Sequence, residues 1–174
     1  MKQIVGFVIA AAAVLLVSCT DSLPRRFDSF LSNVEAECFD RSYADYLDLE
    51  DFWMKVDEKY NKLYNEYRSK MTSYPSDIKR DINACIARYE YLRIDSFVSF
   101  VNDYSNSFSE DDWLIATDKI LELAREYKEN RHSYNSSEKK MIDAVILRYA
   151  GIVLRTKTSS LISTVREILR EFGL

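Results

Sequence analysis

EDFWMKVDEKYNKLYNEYRSKMTSYPSDIKRDINACIARYE, residues 50–90, returns without a gap as EDDWLIATDKILELAREYKENRHSYNSSEKKMIDAVILRYA, residues 110–150. The two stretches share 16 identities in 41 positions, at a constant offset of 60. Glu50, Asp51 and Trp53 recur as Glu110, Asp111 and Trp113, and Arg88-Tyr89 recurs as Arg148-Tyr149. Such self-similarity marks a repeated supersecondary unit. An earlier element repeats by letters at an offset of 70, Phe27-x-Ser29-Phe30 returning as Phe97-x-Ser99-Phe100. That register gives the first copy about ten extra residues around Glu37 to Tyr46, and Leu161 to Phe172 reads as a fading third copy.

Each unit reads as three helices. Residues 25–39 place Phe27, Phe30, Leu31 and Val34 on one stripe. Residues 49–71 carry Leu49, Trp53, Val56, Tyr60, Leu63, Tyr64, Tyr67 and Met71 at spacings of three and four, the period of an amphipathic helix. Pro75 suits a first helical turn. No breaker follows before Tyr104, so residues 75–105 are expected to form one long helix that ends one unit and begins the next. Ser107-Phe108-Ser109-Glu110 resembles a capping box before a helix at 110–131, and Asn135-Ser136-Ser137-Glu138 is a second capping signal. The last helix is expected to run to about Phe172, with Gly151 as a weak point or kink. The expected fold is all-α: tandem three-helix units of about 60 residues sharing long helices, about five helices in the mature domain. Two bundles end to end and one continuous array both fit this pattern.

Composition agrees with helices. The chain has only three Gly and two Pro, and 47% of its residues are hydrophobic. Its formal charge of −4 and the lack of a basic stripe argue against nucleic acid as a partner.

The N-terminus has its own logic. Lys2 precedes an apolar run from Ile4 to Val17, too short to span a hydrocarbon core as a helix. It has the length and flanks of a secretory signal. Leu16-Val17-Ser18-Cys19 closes the run and resembles the lipobox of bacterial lipoproteins. The resemblance implies that residues 1–18 are a signal peptide and that Cys19 is lipidated as the mature N-terminus. Residues 19–26 then form the lipidated Cys and tether, 27–96 repeat unit 1, and 97–174 repeat unit 2 with a C-terminal helix. The expected address is the cell envelope, lipid-anchored, at the outer membrane facing the periplasm or at the cell surface. Two or three acyl chains hold a protein on a membrane almost permanently, at roughly 0.8 kcal/mol per buried CH₂. The order of lipobox, Phe-rich first helix, Glu-Asp-x-Trp opening and Arg-Tyr close resembles small helical lipoproteins of Bacteroidota, a domain of unknown function, here in tandem. That resemblance implies an envelope address and a fold, and no catalytic residues.

Reactive motifs are sparse. His132 is the single His, which rules out two-His metal sites within one chain. Glu129-x-x-His132 has no partner motif, because the first unit carries Ser69 and Thr72 there. No Gly cluster supports a phosphate loop or a nucleophile elbow. Asp111-Asp112 reads as helix-start acid rather than as a catalytic pair. Tyr60, Tyr64 and Tyr67 share one helical face and read as core with hydroxyls at its rim, the other reading being an exposed recognition surface. Cys38 and Cys85 either form a disulfide or pack as small hydrophobes. No enzyme activity, metal or cofactor is expected. An antiparallel hairpin turning near residues 73–74 pairs positions summing to about 147, so Arg88 is expected to meet Glu58, and Arg148 to meet Asp118, as structural ion pairs. The expected function is a non-catalytic interaction or scaffold module with a protein partner in the envelope. The alternative is a ligand-binding lipoprotein for glycan, peptide or lipid.

Overall fold

The computed structural model describes residues 22–156 and the short stretches 162–163, 165–166 and 169–170. Residues 1–18, expected as a signal peptide, and Cys19 lie outside the described residues. Within them the chain is all-α, with five helices and no strand: α1 (Leu23–Asp40), α2 (Tyr46–Lys70), α3 (Ser76–Tyr104), α4 (Glu110–Asn130) and α5 (Ser136–Thr156). Short 3-10 turns at Met71–Ser73 and Arg131–Ser133 close α2 and α4 at equivalent places.

Capping chemistry explains the boundaries. Asp45 accepts from the Asp48 N–H at 2.9 Å to start α2. The capping box of α4 is Ser109 with Asp112, two residues beyond the expected Ser107 start. Ser109 also satisfies the S-x-x-acid pattern, and its acid falls at the third helical position, where it reaches back to the Ser109 N–H. Asn135 and Glu138 cap α5 reciprocally, as the sequence suggested. Helix α1 starts at Leu23, inside the expected tether, because Pro24 in a first turn needs no N–H partner and Leu23 is buried.

Polar pairs fix the directions. Arg26 near the start of α1 meets Glu66 near the end of α2 at 2.7 Å, so these helices are antiparallel. The Tyr89 hydroxyl donates to Asp57 at 2.5 Å, and Trp53 Nε1 donates to Ser96 Oγ at 2.8 Å, which sets α2 antiparallel to α3. Arg88 meets Asp28 of α1, while Arg148 and Arg155 of α5 meet Asp95 and Asn102 of α3. Thus α1, α3 and α5 run one way, α2 covers the α1–α3 seam, and α4 covers the α3–α5 seam. The result is one continuous array with α3 as its hub, not two bundles end to end.

The repeat is visible in contacts. Tyr67 stacks on Tyr74 as Tyr127 stacks on Tyr134. Tyr89 meets Asp57 as Tyr149 meets Thr117. Trp53 and Trp113 are both buried, facing inward from their helices. For the first helix the contacts correct the register. Arg26–Glu66 recurs as Arg93–Glu126, Arg88–Asp28 as Arg148–Asp95, and Arg88–Ser32 as Arg148–Ser99. Helix α1 therefore maps onto α3 at an offset of 67, not 70. Its buried stripe Leu23, Phe27, Leu31, Val34 maps onto Glu90, Ile94, Val98, Val101, all buried. A three-residue slip is nearly one helical turn, so letters alone kept the apolar face and missed the register. The first copy's surplus is seven residues, four of them the extra turn that makes α2 25 residues long against 21 for α4.

Candidate functional site

Two hollows run between α2 and α4 above α3. One, of about 500 Å³, has Arg93 and Phe97 in its floor and Leu49, Trp53, Met54, Lys119 and Leu123 in its walls. The other, of about 350 Å³, continues toward the α3–α4 corner over Phe97, Phe100 and Phe108. Tyr46 and Phe97 line both, so the two form one groove. Tyr46 lies 6.3 Å from the rings of Phe97 and Phe100 and donates to Glu50 at 2.7 Å. Leu47, Met54 and Ile115 stand on the rim, 70%, 63% and 51% exposed. Across the opening Lys119 of α4 lies 3.8 Å from Glu50 of α2, and 3.2 Å from Glu122 on its own helix.

Arg93 anchors the floor. Its guanidinium lies 2.6 Å from Glu126 of α4 and 3.4 Å from Asp57 of α2, and its side chain is only 16% exposed. Burial opposes the charge, and Tyr89, Asp57 and Glu126 outweigh it. One turn earlier, Glu90 is buried between α3 and the end of α4. Asn130 donates to its Oε1 at 2.7 Å. Its Oε2 and the Tyr134 hydroxyl are buried without a hydrogen bond of good geometry. Burial lifts the Glu90 carboxyl to about 7, against the opposing pull of Tyr134 and Asn130. Neither Arg93 nor Glu90 was singled out from sequence. The available signal was two charges in the otherwise apolar run Tyr89 to Ile94, one of them where α1 carries Leu23.

Comparison with known protein families, curated proteins and solved structures finds no match.

The expected ion pairs are corrected. Arg88 pairs with Asp28 and Glu35 of α1 and also reaches Ser32, not Glu58. Arg148 pairs with Asp95 and donates to Ser99 of α3, not Asp118, while Glu58 pairs with Lys62 on its own helix. The hairpin register was right, as Tyr89–Asp57 shows. One residue along a helix is a turn of about 100°, so with Tyr89 facing α2, Arg88 faces α1. Tyr60 and Tyr67 are buried and Tyr64 is half-buried, with Tyr60 and Tyr89 stacked 3.6 Å apart, so that stripe is core. Cys38 and Cys85 are free thiols, each pushed up to about 11 by burial, which leaves little thiolate at neutral pH. His132 is exposed, with Nδ1 3.0 Å from the Glu129 carbonyl. Among the described residues, no group of three or more His, Cys, Asp or Glu is placed to hold a metal ion, and no helix is long and apolar enough to cross a membrane.

Proposed function

We propose that this chain is an envelope lipoprotein, lipid-anchored through Cys19, that works as a non-catalytic scaffold and presents the α2–α4 groove to a protein partner. The observation that carries the scaffold half is the open apolar groove with Leu47, Met54 and Ile115 exposed along its rim. Exposed apolar groups gathered at a concave surface and bordered by charge are a common mark of a protein-binding site. A repeat array offers an extended face for such contacts. The anchor half rests on Leu16-Val17-Ser18-Cys19 and on the resemblance to small Bacteroidota lipoproteins. Helix α1 begins at Leu23, so lipid on Cys19 holds the array close to the membrane.

Both halves are open to test. Mass spectrometry of the native protein should find residues 1–18 absent and acyl chains on Cys19, and Cys19→Ala should accumulate as an unlipidated precursor. Native protein with residues 1–18 intact and no acyl mass would rule out the anchor. Leu47→Asp combined with Ile115→Asp changes two exposed side chains and should keep the helical circular dichroism. The partner that co-purifies with wild type should be lost from this variant, and equal recovery with both would rule out the groove.

A further inference from the structure

Charge identifies the kind of partner. The groove is lined by six carboxylates, Asp45, Glu50, Asp51, Asp57, Glu58 and Asp112, and only two cations, Arg93 and Lys119. Both cations are engaged internally, Arg93 by Asp57 and Glu126 and Lys119 by Glu50 and Glu122. Of the carboxylates, Asp45 and Asp112 cap their helices and Glu58 pairs with Lys62, which still leaves acids in excess of bases. Whatever enters therefore meets a floor of aromatic side chains around the ion-paired Arg93, and a rim with more acids than bases. The floor is Phe97 and Phe100 with Trp53 beside them, and the rim adds exposed Leu47, Met54 and Ile115. Methionine at such a rim adapts to the side chains it receives.

The shape sets a length. The lining of the larger hollow follows α2 from Tyr46 to Asn61, roughly 22 Å at a helical rise of 1.5 Å per residue. A segment of about four helical turns matches that span. Peptides that lay an apolar helical face into a hydrophobic groove use anchors at spacings of three, four and seven. Opposite charge along the rim steers such a segment and fixes its orientation.

We propose, building on the scaffold reading above, that the occupant of the α2–α4 groove is a cationic amphipathic helix of a partner protein. Its apolar face lies on the exposed Leu47, Met54 and Ile115 rim above the buried Phe97 and Trp53, and its Lys and Arg side chains reach Asp51 and compete with Lys62 for Glu58. Both carboxylates are on exposed residues of α2.

The experiment uses the full lipidated chain in zwitterionic nanodiscs and a fluorescent amphipathic peptide of Leu and Lys, about 15 residues long to match the groove. Anisotropy is read against empty nanodiscs. Controls are a scrambled peptide of the same composition and an amphipathic Leu and Glu peptide. The Leu and Lys peptide should bind saturably, more tightly at low salt, and at least ten times more tightly than either control. Asp51→Lys with Glu58→Lys should weaken it at least tenfold, as should Met54→Asp alone. Glu37→Lys with Asp81→Lys, the same charge change on exposed sites of α1 and α3, should leave it within about twofold. Binding of the Leu and Glu peptide with equal or greater strength would overturn the cationic assignment. If Met54→Asp still abolished that binding, the groove and the scaffold reading would stand. If no peptide's binding responded to the groove substitutions, the groove itself would be refuted.

Discussion

Replacing Arg93 with alanine should lower stability by roughly 2–4 kcal/mol, several times the loss from Arg26→Ala. The two arginines hold equivalent places, each meeting the same repeated glutamate, Glu66 or Glu126, at 2.7 or 2.6 Å. Their surroundings differ. The Arg26 side chain is 44% exposed, and that pair is a surface ion pair worth about 1 kcal/mol or less. Arg93 lies at the hub, 16% exposed, and also faces Asp57. Removing it leaves Asp57 and Glu126 without their shared cation across the α2–α4 groove, and the Tyr89 hydroxyl alone still donates to Asp57. Urea denaturation of both variants at neutral pH measures the difference. Equal losses would mean that burial at the hub does not set the strength of the repeated pair.

Glu90→Gln should stabilise the protein at pH 8 by roughly 3 kcal/mol and have little effect near pH 4.5. The folded-state carboxyl titrates near 7, against an ordinary 4.5, chiefly because burial penalises its charge. The folded chain thus holds a proton between those values that the unfolded chain has released. The stability tied to that proton is complete below about pH 4.5 and is lost as pH rises through 7. Glutamine keeps the neutral shape, offers its oxygen to Asn130 and brings an N–H toward Tyr134, whose hydroxyl otherwise lies buried without a well-placed partner. The first unit supports this reading, since Leu23 fills the equivalent place with no charge. Thermal denaturation at the two pH values gives the answer. Parallel pH profiles for wild type and variant would show that Glu90 is not the titrating group.

What could be read from the sequence was whatever repeats as letters or rests on local chemistry. Trp53 and Trp113, the Asn135–Glu138 cap and the long shared helix α3 all follow from spacing, caps and the scarcity of breakers. Side-chain facing was harder. The sum that paired α2 with α3 located Tyr89 against Asp57, yet it sent Arg88 to the wrong neighbour, because a hairpin sum carries no information about a third helix. The first-helix register failed for a related reason. Phe27 and Phe97 match as letters, but Ile94 occupies Phe27's place, and the contacts of the repeated arginines with acids and serines separate the two registers. The hub was hidden most deeply. Helix α3 is packed by α1, α2, α4 and α5, so its apolar residues spread over several faces. Arg93 and Glu90 there look like ordinary solvent-facing charges until the neighbours are in place. The groove depends in turn on how α2 and α4 separate above α3, which no single helix encodes.

A photo-crosslinking residue at Met54, compared with the same residue at exposed Lys140 on α5, tests the central claim most directly. Irradiated in intact native cells, the Met54 protein should give one discrete adduct with another protein, absent from the Lys140 protein. The mapped peptide of that partner should come from a Lys- and Arg-bearing amphipathic helix. Adducts of equal yield from both positions, or none from Met54, would contradict the claim that this groove is where the protein meets its partner.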